Sequence, residues 1–417
     1  MTHPKPLLDG RGEPKVRRFA EQRWLLDNII QANGIDWDQP RSIYLNTPSC
    51  GVATADFMAI RTQVRKLADI GPAFCAAAKQ RQIKAEVALK EGNIVLAREN
   101  YFVAAIHWGA AQWSHDENNA ENIAINENKR GCYSNYASLS DHLVEAIWIP
   151  FGDKFIPAWL HLPSGPHTHP LPVVVTVPGM DSFKEASVSL YGDRWLTRGL
   201  AVLAIEGPGQ YEAAIHGLYF SMNNWLSTGP AVLGWLASRE ELDETRVGVS
   251  GISFGSFFST IMFASESRFT ACAVMSVCHE SGCRTLFEEA CPTFKKRFMY
   301  MSGCVDEGDF EPIRRSISWE GHAETISRPY LCLAGEHDEL SPLVHTERLM
   351  AVLKGPKRLV IYEGSRHSVG NVAAAQFGPF PATLVADWMA DCLAGKPFAS
   401  ERWFVRANGQ IDKVKIE

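Results

Sequence analysis

The 417-residue sequence has no stretch of about 18 apolar residues, which is the length that a membrane-spanning helix requires. It has no block of basic residues, and its formal net charge is −6, so charge gives no reason to expect nucleic acid or an anionic membrane as a partner. Its first residues contain no continuous apolar segment like that of a secretory signal peptide. From these absences we expect a cytoplasmic protein that binds neither nucleic acid nor membrane.

The common cofactor and metal motifs are also missing. The sequence contains no G-x-G-x-x-G, P-loop, H-E-x-x-H or EF-hand pattern, so it gives no sign of a dinucleotide, nucleotide or metal site. Ten cysteines are present, but their spacing matches no C-x-x-C zinc pattern. We expect them to be reduced thiols, most of them buried.

The amino-terminal part is helical in character. Apolar residues recur every three to four positions from Phe57 to Leu67, and alanine-rich segments over 72–108 predict a pair of antiparallel helices. Residues 115–141 are polar and rich in asparagine, so we predict a linker or a loosely packed connection there. This pattern divides the chain into a helical domain over 1–135 and a second domain over 136–417.

The second domain alternates short apolar runs with helical stretches. Two runs over 143–162 surround Gly152-Asp153 and predict a hairpin. Six further runs are rich in β-branched residues and suit strands that are buried on both faces of a parallel sheet. The six runs are VVVTV (173–177), AVLAI (201–205), VGVS (247–250), ACAVMSV (271–277), YLCLAG (330–335) and RLVIY (358–362). The order indicates a doubly wound α/β sheet with one mixed edge.

A single serine stands between two glycines directly after the third of these runs, in GISFGSFF. A serine between a strand and a helix needs a very tight turn to hold its hydroxyl above the sheet. Side chains two positions before and after it would collide, and Gly251 and Gly255 remove those collisions. Ser253 is therefore the predicted nucleophile.

A serine nucleophile requires a base, and the base requires an orienting carboxylate. Asp338 follows the run at 330–335, and His367 follows the run at 358–362, which we predict to be the last strand. Carboxyl ends of strands are where ligand chemistry gathers in open α/β sheets. Glu336 is the alternative acid, but it lies earlier in the same turn, so we predict Asp338 and His367.

Two backbone amides are predicted to hold an oxyanion. One belongs to Phe254, at the start of the helix after the nucleophile, and the other to Met180 in VPGMDSFKE, with Asp181 behind it. The S-x-x-E pattern from Ser182 to Glu185 predicts a capping box at the start of a helix.

The order and setting of these residues resemble the α/β-hydrolase superfamily. The segments VPGMDSFKE, RGLAVLAIEGPGQYE and GISFGSFF, behind a helical amino-terminal domain, resemble the group that contains 2,6-dihydroxypseudooxynicotine hydrolase, the FrsA-like esterases and the fungal Ayg1-type polyketide-shortening hydrolases. The similarity runs from about residue 140 to 395. It implies an α/β-hydrolase fold with the helical domain as a cap, no metal or other cofactor, and often a homodimer. Tyr211 departs from the group, where glycine is more common.

The resemblance implies cleavage of an ester, or of a carbon–carbon bond beside a carbonyl, in an aromatic or polyketide-like small molecule. A carbanion leaving group needs an additional acid, and Glu280, in SVCHESGC, is a candidate, with His279 a weaker one. The long connection over 278–329 is a possible lid. A plain carboxylesterase, an acyltransferase and a receptor that only binds its ligand remain as alternatives.

Overall fold

A mixed sheet of ten strands runs through the computed structural model, which describes residues 4–34, 54–190 and 194–416. The spatial order is β1-β2-β4-β3-β5-β6-β7-β8-β9-β10. Neighbours from β4 to β9 are parallel, whereas β1, β2 and β10 pair antiparallel. The strands are β1 (Val144–Phe151), β2 (Lys154–His161), β3 (Leu171–Val177), β4 (Ala201–Ile205), β5 (Leu242–Ser253), β6 (Ala271–Val277), β7 (Tyr330–Gly335), β8 (Lys357–Tyr362), β9 (Glu401–Val405) and β10 (Ile411–Lys415).

In the described residues, the helices that precede β1 form a separate amino-terminal layer, and the later helices cover both faces of the sheet. The helices are α1 (Arg17–Asn33), α2 (Thr54–Gln63), α3 (Ile70–Lys90), α4 (Ile94–Gln112), α5 (Ala120–Ser138), α6 (Ser187–Leu190), α7 (Tyr211–Ile215), α8 (Met222–Leu236), α9 (Phe254–Ser265), α10 (Pro292–Met301), α11 (Glu307–Ser316), α12 (Leu343–Val352), α13 (Ala373–Phe377) and α14 (Pro381–Leu393). Two apolar clusters lie on the two faces of the sheet, and a third fills the amino-terminal helical layer.

All six predicted apolar runs and the predicted hairpin are strands. The runs are buried because alternate residues of β3 to β8 pack into the two apolar clusters on the two faces of the sheet, which is why their sequences show almost no polar alternation. One prediction was wrong: β8 is not the last strand, because β9 and β10 follow it and extend the sheet. The sheet therefore has an antiparallel strand pair at each edge rather than one mixed edge.

The predicted linker at 115–141 was also wrong, because most of it is the helix α5. Asn119 caps this helix by accepting a hydrogen bond from the Asn122 amide at 2.8 Å. Its buried residues recur every three to four positions, as in any amphipathic helix, but half of them are polar. These buried residues are Asn122, Ile125, Asn126, Lys129, Cys132 and Tyr133. Polar residues at buried positions concealed the helix from a pattern based on apolar spacing.

The helical layer packs directly on the sheet through Trp159 of β2, which belongs to the same apolar cluster as α3, α4 and α5. The predicted domain boundary at residue 135 lies inside α5. Part of the predicted helical domain, residues 35–53, lies outside the described residues. In the described part of the chain, no helix is both long and apolar enough to span a bilayer. The nine cysteines of that part are unpaired, and seven are buried.

Candidate active site

The chain makes a sharp turn at Ser253, between β5 and α9. Its backbone has φ 55° and ψ −128°, a conformation that residues with a side chain rarely adopt. A Cβ atom on Gly251 would lie 2.1 Å from the Gly255 carbonyl oxygen, and one on Gly255 would lie 2.3 Å from the carbonyl oxygen of Val177. The two flanking glycines are thus required by steric contact, and the strained serine is the last residue of β5, directly before α9.

Ser253, His367 and Asp338 form a continuous hydrogen-bonded chain. The Ser253 hydroxyl lies 2.9 Å from His367 Nε2, and His367 Nδ1 lies 2.9 Å from Asp338 Oδ2. His367 and Asp338 are buried, on the loops that follow β8 and β7. The structure therefore brings together the three residues that the sequence placed at three separate strand ends.

Backbone hydrogen bonds hold the carboxylate of Asp338 in place. Its Oδ1 accepts hydrogen bonds from the amides of Leu340 and Ser341, both at 2.9 Å. The alternative acid, Glu336, instead accepts a hydrogen bond from the Gly364 amide at 2.9 Å. Only Asp338 of the two is bonded to His367.

Opposing effects act on the His367 imidazole. Burial lowers its pKa, but the carboxylate of Asp338, with smaller contributions from Glu339 and Asp181, outweighs burial and raises the pKa above 6.5. Glu339 also accepts a hydrogen bond from the His367 amide at 3.0 Å. The negative surroundings stabilise an imidazolium, the form that exists after a base has taken a proton from a hydroxyl.

The loop after β3 lies against the nucleophile. A Cβ on Gly179 would lie 3.0 Å from the Ser253 Cβ and 3.3 Å from a carboxylate oxygen of Asp181. Met180 follows Gly179 in this turn, and Phe254 is the first residue of α9, so its amide has no acceptor within the helix. Both residues are buried; Phe254 directly follows Ser253, and Met180 directly follows Gly179, which packs against the Ser253 side chain. Their amides remain the predicted oxyanion donors.

The loop over 178–181 is held by residues that follow β4. The Gln210 side-chain amide donates to the Pro178 carbonyl at 2.6 Å, and the Tyr211 hydroxyl donates to the Asp181 carbonyl at 2.9 Å. The sequence singled out Tyr211 only as a departure from its relatives, and nothing in the sequence indicated this contact. Tyr211 therefore supports the loop that carries Met180.

The capping box predicted from Ser182 to Glu185 was wrong. The short helical turn there begins after Phe183 and has no side-chain cap. The Glu185 carboxylate instead accepts a hydrogen bond from the Trp159 indole at 2.9 Å and contacts Lys184 at 2.9 Å. A sequence pattern for a cap does not specify whether its carboxylate has stronger partners elsewhere, and here it does.

Glu280 follows β6, as predicted, but its carboxylate has a local partner. Its Oε2 accepts a hydrogen bond from the Thr285 amide at 2.9 Å, and its other oxygen lies 4.0 Å from His345 Nε2. The weaker candidate, His279, is fully buried, and burial lowers its pKa to about 3. Glu280 thus supports the turn that starts at residue 285, and no contact with Ser253 or His367 is found for it within the described residues.

Cys278, also after β6, is a neighbour that the sequence analysis did not single out. It directly follows Val277, the residue that pairs with Ser253 between β5 and β6, and its side chain is buried. Burial, followed by the nearby carboxylate of Asp338, raises the pKa of Cys278 well above that of a free thiol. The thiolate is the reactive form of cysteine, and a raised pKa keeps this side chain protonated. Cys278 is therefore an apolar contact near the site and not a competing nucleophile.

Comparison with known proteins finds similarity to esterase, peptidase and hydrolase families. The model of the FrsA-like esterase family matches residues 74–302, more than half of the chain, and that of the prolyl oligopeptidase family matches residues 229–396. Hydrolase phmG of Phaeosphaeria nodorum is 29% identical over 211 residues, which are 46% of this chain and 47% of the relative. The 2,6-dihydropseudooxynicotine hydrolase of Paenarthrobacter nicotinovorans is 27% identical over 252 residues, 58% of this chain and 64% of the relative. The chain thus spans about half the length of the curated relatives it matches.

Solved structures show the same fold. The crystal structure of 2,6-dihydroxy-pseudo-oxynicotine hydrolase superposes with a TM-score of 0.71 at 24% identity, covering 83% of this chain and 95% of that one. AbyA5 superposes with a TM-score of 0.60 at 14% identity, covering 86% and 99% of the two chains. The family match covers more than half of the chain, so the chain belongs to the FrsA-like esterase family, and it has the α/β-hydrolase fold.

Proposed function

We propose that this hydrolase uses Ser253 as a covalent nucleophile on the carbonyl carbon of an ester or ketone. His367 accepts the hydroxyl proton and later delivers it to the leaving group, and Asp338 holds the imidazole in the required tautomer. The amides of Phe254 and Met180 bind the oxyanion that develops on the carbonyl oxygen. Water then attacks the acyl-enzyme, with His367 as base, and releases the acid.

One observation carries this proposal: the strained Ser253 is hydrogen-bonded to an imidazole whose other nitrogen is hydrogen-bonded to a buried carboxylate. Strain at a non-glycine residue persists only where the surrounding structure enforces it, and it concentrates at functional sites. The family membership supports the same chemistry.

Burst kinetics with a chromogenic ester test the proposal. We expect a rapid release of about one leaving group per active site before steady turnover, because acylation of Ser253 precedes hydrolysis. A fluorophosphonate probe should add to Ser253, as read by mass spectrometry of the labelled peptide. A protein that only binds its ligand shows neither the burst nor the adduct, and a burst with the adduct on another residue contradicts the assignment. Added alcohol or amine that diverts the product from acid to ester or amide identifies an acyltransferase.

As the substrate we propose an aromatic or polyketide-like small molecule, on which either an ester or a carbon–carbon bond beside a carbonyl is cleaved. Relatives named as hydrolases of 2,6-dihydropseudooxynicotine and of 20-hydroxy-prefusarin support this class. The helical layer would act as a cap over the site, and the segment over 278–329 as part of its enclosure.

Substitution of Glu280 and of Asp181 can distinguish cleavage of an ester from cleavage of a carbon–carbon bond. A carbon leaving group must be protonated as it departs, so loss of a participating acid slows ketone cleavage more than cleavage of an activated ester. Glu280→Gln keeps an oxygen acceptor for the Thr285 amide, and Asp181→Asn changes the carboxylate beside Gly179. If Glu280 is the acid, Glu280→Gln reduces kcat for a β-diketone about 100-fold while kcat for a nitrophenyl ester changes little.

The same two rates measured for Asp181→Asn provide the matched comparison. A selective loss for ketones in Asp181→Asn and not in Glu280→Gln would transfer the acid role to Asp181. Equal losses for both substrates in Glu280→Gln would remove Glu280 from the chemistry and leave it a role in capping the turn.

A further inference from the structure

A cluster of buried charges lies behind the loop that carries Met180, and no step of the proposed mechanism uses it. Three carboxylates, those of Glu185, Glu206 and Glu212, are almost fully inaccessible to solvent. The ammonium of Lys184 lies 2.6 Å from Glu212, 2.9 Å from Glu185 and 3.2 Å from Glu206. One lysine therefore faces three carboxylates within the sheet domain, and burial of unbalanced charge is costly.

The remaining positive charge comes from the amino-terminal helical layer. Lys129, on α5, is fully buried, and its ammonium lies 3.7 Å from a carboxylate oxygen of Glu185 and 3.7 Å from one of Glu206. Arg130, its neighbour on α5, lies 3.2 Å from Glu212. With these two cations the cluster contains three positive and three negative groups.

One atom of the cluster shows what Lys129 contributes. Among the described residues, no hydrogen-bond partner is found for the buried Oε2 atom of Glu185. Lys129 is the cation near that oxygen, and its own ammonium donates to the Gln112 side chain of α4 at 3.0 Å. Burial raises the pKa of Glu185, but the charges of Lys129 and Lys184 outweigh burial and lower it overall, so the carboxylate stays ionised.

The cluster is connected to the loop over 178–181 by short steps. Glu206 accepts hydrogen bonds from the backbone amides of Lys184 and Glu212, at 3.1 and 2.9 Å, and so joins the end of the Met180 loop to the start of α7. The neighbouring residues Gln210 and Tyr211 bind the carbonyls of that loop, and the Lys129 ammonium lies 5.0 Å from the Tyr211 ring centre.

From this arrangement we propose that Lys129 is a positioning residue: it fixes the geometry of the Met180 loop by balancing the buried carboxylates of Glu185 and Glu206. The inference rests on the proposed function, because the loop matters to the rate only if its amide binds an oxyanion. In this proposal the amino-terminal helical layer, which carries Lys129, positions the Met180 loop in addition to covering the site. Oxyanion donors act over tenths of an ångström, so a small shift of the loop reduces kcat and leaves substrate binding largely intact.

Lys129→Met, which keeps the length of the side chain and removes its charge, tests the inference. We expect kcat for a chromogenic ester to fall about 10- to 100-fold with little change in KM. The ratio of wild-type to variant kcat should shrink as the pH falls, because Glu185 without Lys129 gains a proton and the charge imbalance disappears. Lys357→Met is the matched control: Lys357 is also a buried lysine, but it lies at the start of β8, and its ammonium donates to the Leu353 carbonyl at 2.9 Å outside this cluster. It should alter the unfolding temperature without altering kcat.

The double variant Lys129→Met/Glu185→Gln separates positioning from general destabilisation. It removes one charge of each sign, so its kcat should recover to within about threefold of the Glu185→Gln variant, even if Lys129→Met alone does not fold. A folded Lys129→Met with wild-type kcat at every pH overturns the inference, as does a double variant at least tenfold slower than Glu185→Gln. Absence of a fluorophosphonate adduct on Ser253 in the wild type would refute the proposed function itself, which is a separate outcome.

Discussion

Replacing Ser253 by alanine is expected to reduce kcat by about 10⁴- to 10⁶-fold while the protein folds as before. The hydroxyl is the only group lost, and it is the atom that lies 2.9 Å from His367 Nε2. Serine and alanine both carry a Cβ, so the strain at φ 55° is the same in both, and the Ser253 side chain provides no cap to α9. Turnover of a chromogenic ester and the thermal unfolding temperature measure the two parts of this expectation. Retention of more than about 1% of wild-type kcat would exclude Ser253 as the nucleophile.

Ser256 offers a matched control in the same turn. Its buried hydroxyl accepts a hydrogen bond from the Cys278 amide at 2.9 Å and does not contact His367. Ser256→Ala therefore leaves a buried amide unpaired, which costs about 1–3 kcal/mol of unfolding free energy. We expect this variant to be less stable but to keep most of its turnover, which is the reverse of the pattern for Ser253→Ala.

Asp338→Asn is expected to lower kcat about 10⁴-fold with the fold intact. The asparagine oxygen can still accept from the amides of Leu340 and Ser341, so the loop keeps its hydrogen bonds. Its NH₂ group, however, faces His367 Nδ1 and favours the tautomer in which Nε2 carries the proton and cannot accept one from Ser253. Measurement of kcat at pH 8, with circular dichroism as a check on folding, tests this expectation.

The same variant has a pH signature with a defined sign. The Asp338 charge is the main influence that raises the pKa of His367 against burial, which lowers it. In the wild type, activity should therefore fall with decreasing pH through a pKa above 6.5, because the base must be neutral. Without the carboxylate, that fall should move to lower pH. If the residual activity of Asp338→Asn falls at the same pH as that of the wild type, the group that titrates is not His367.

Glu336→Gln distinguishes the two carboxylates of this turn. Glu336 accepts from the Gly364 amide and is not bonded to His367, and glutamine keeps an acceptor for that amide. We expect near wild-type kcat and an unchanged pH profile. If Glu336→Gln is instead as slow as Asp338→Asn, the orienting carboxylate has been misassigned.

Much of the sheet and the candidate triad could be predicted from the sequence because each has a local cause. Strands buried on both faces must be continuous apolar runs, and a serine in a strand-to-helix turn must have small neighbours where a Cβ on Gly251 or Gly255 would overlap backbone. Asp338 and His367 could be chosen because carboxyl ends of parallel strands share one edge of the sheet.

The parts that escaped prediction depend on long-range pairing of polar groups. In α5, Lys129 and Asn126 occupy buried positions that an amphipathic pattern assigns to apolar residues, so the helix resembled a linker. Glu185 matched a local cap, but its partners, Trp159 and Lys129, come from elements that are distant in sequence. The one available signal was the placement of Glu206 directly after a fully apolar strand, since a charge at such a position requires a partner.

The outer strands at the two edges of the sheet limit how copies of this chain can associate. At one border, β10 has exposed lysines at 413 and 415 beside an exposed Val414; at the other, Pro150 of β1 has no amide hydrogen to donate. Charged residues and proline on outer strands discourage a strand of another molecule from joining. Addition of a strand from another molecule is therefore disfavoured at both edges, so two copies are not expected to join into a continuous twenty-strand sheet.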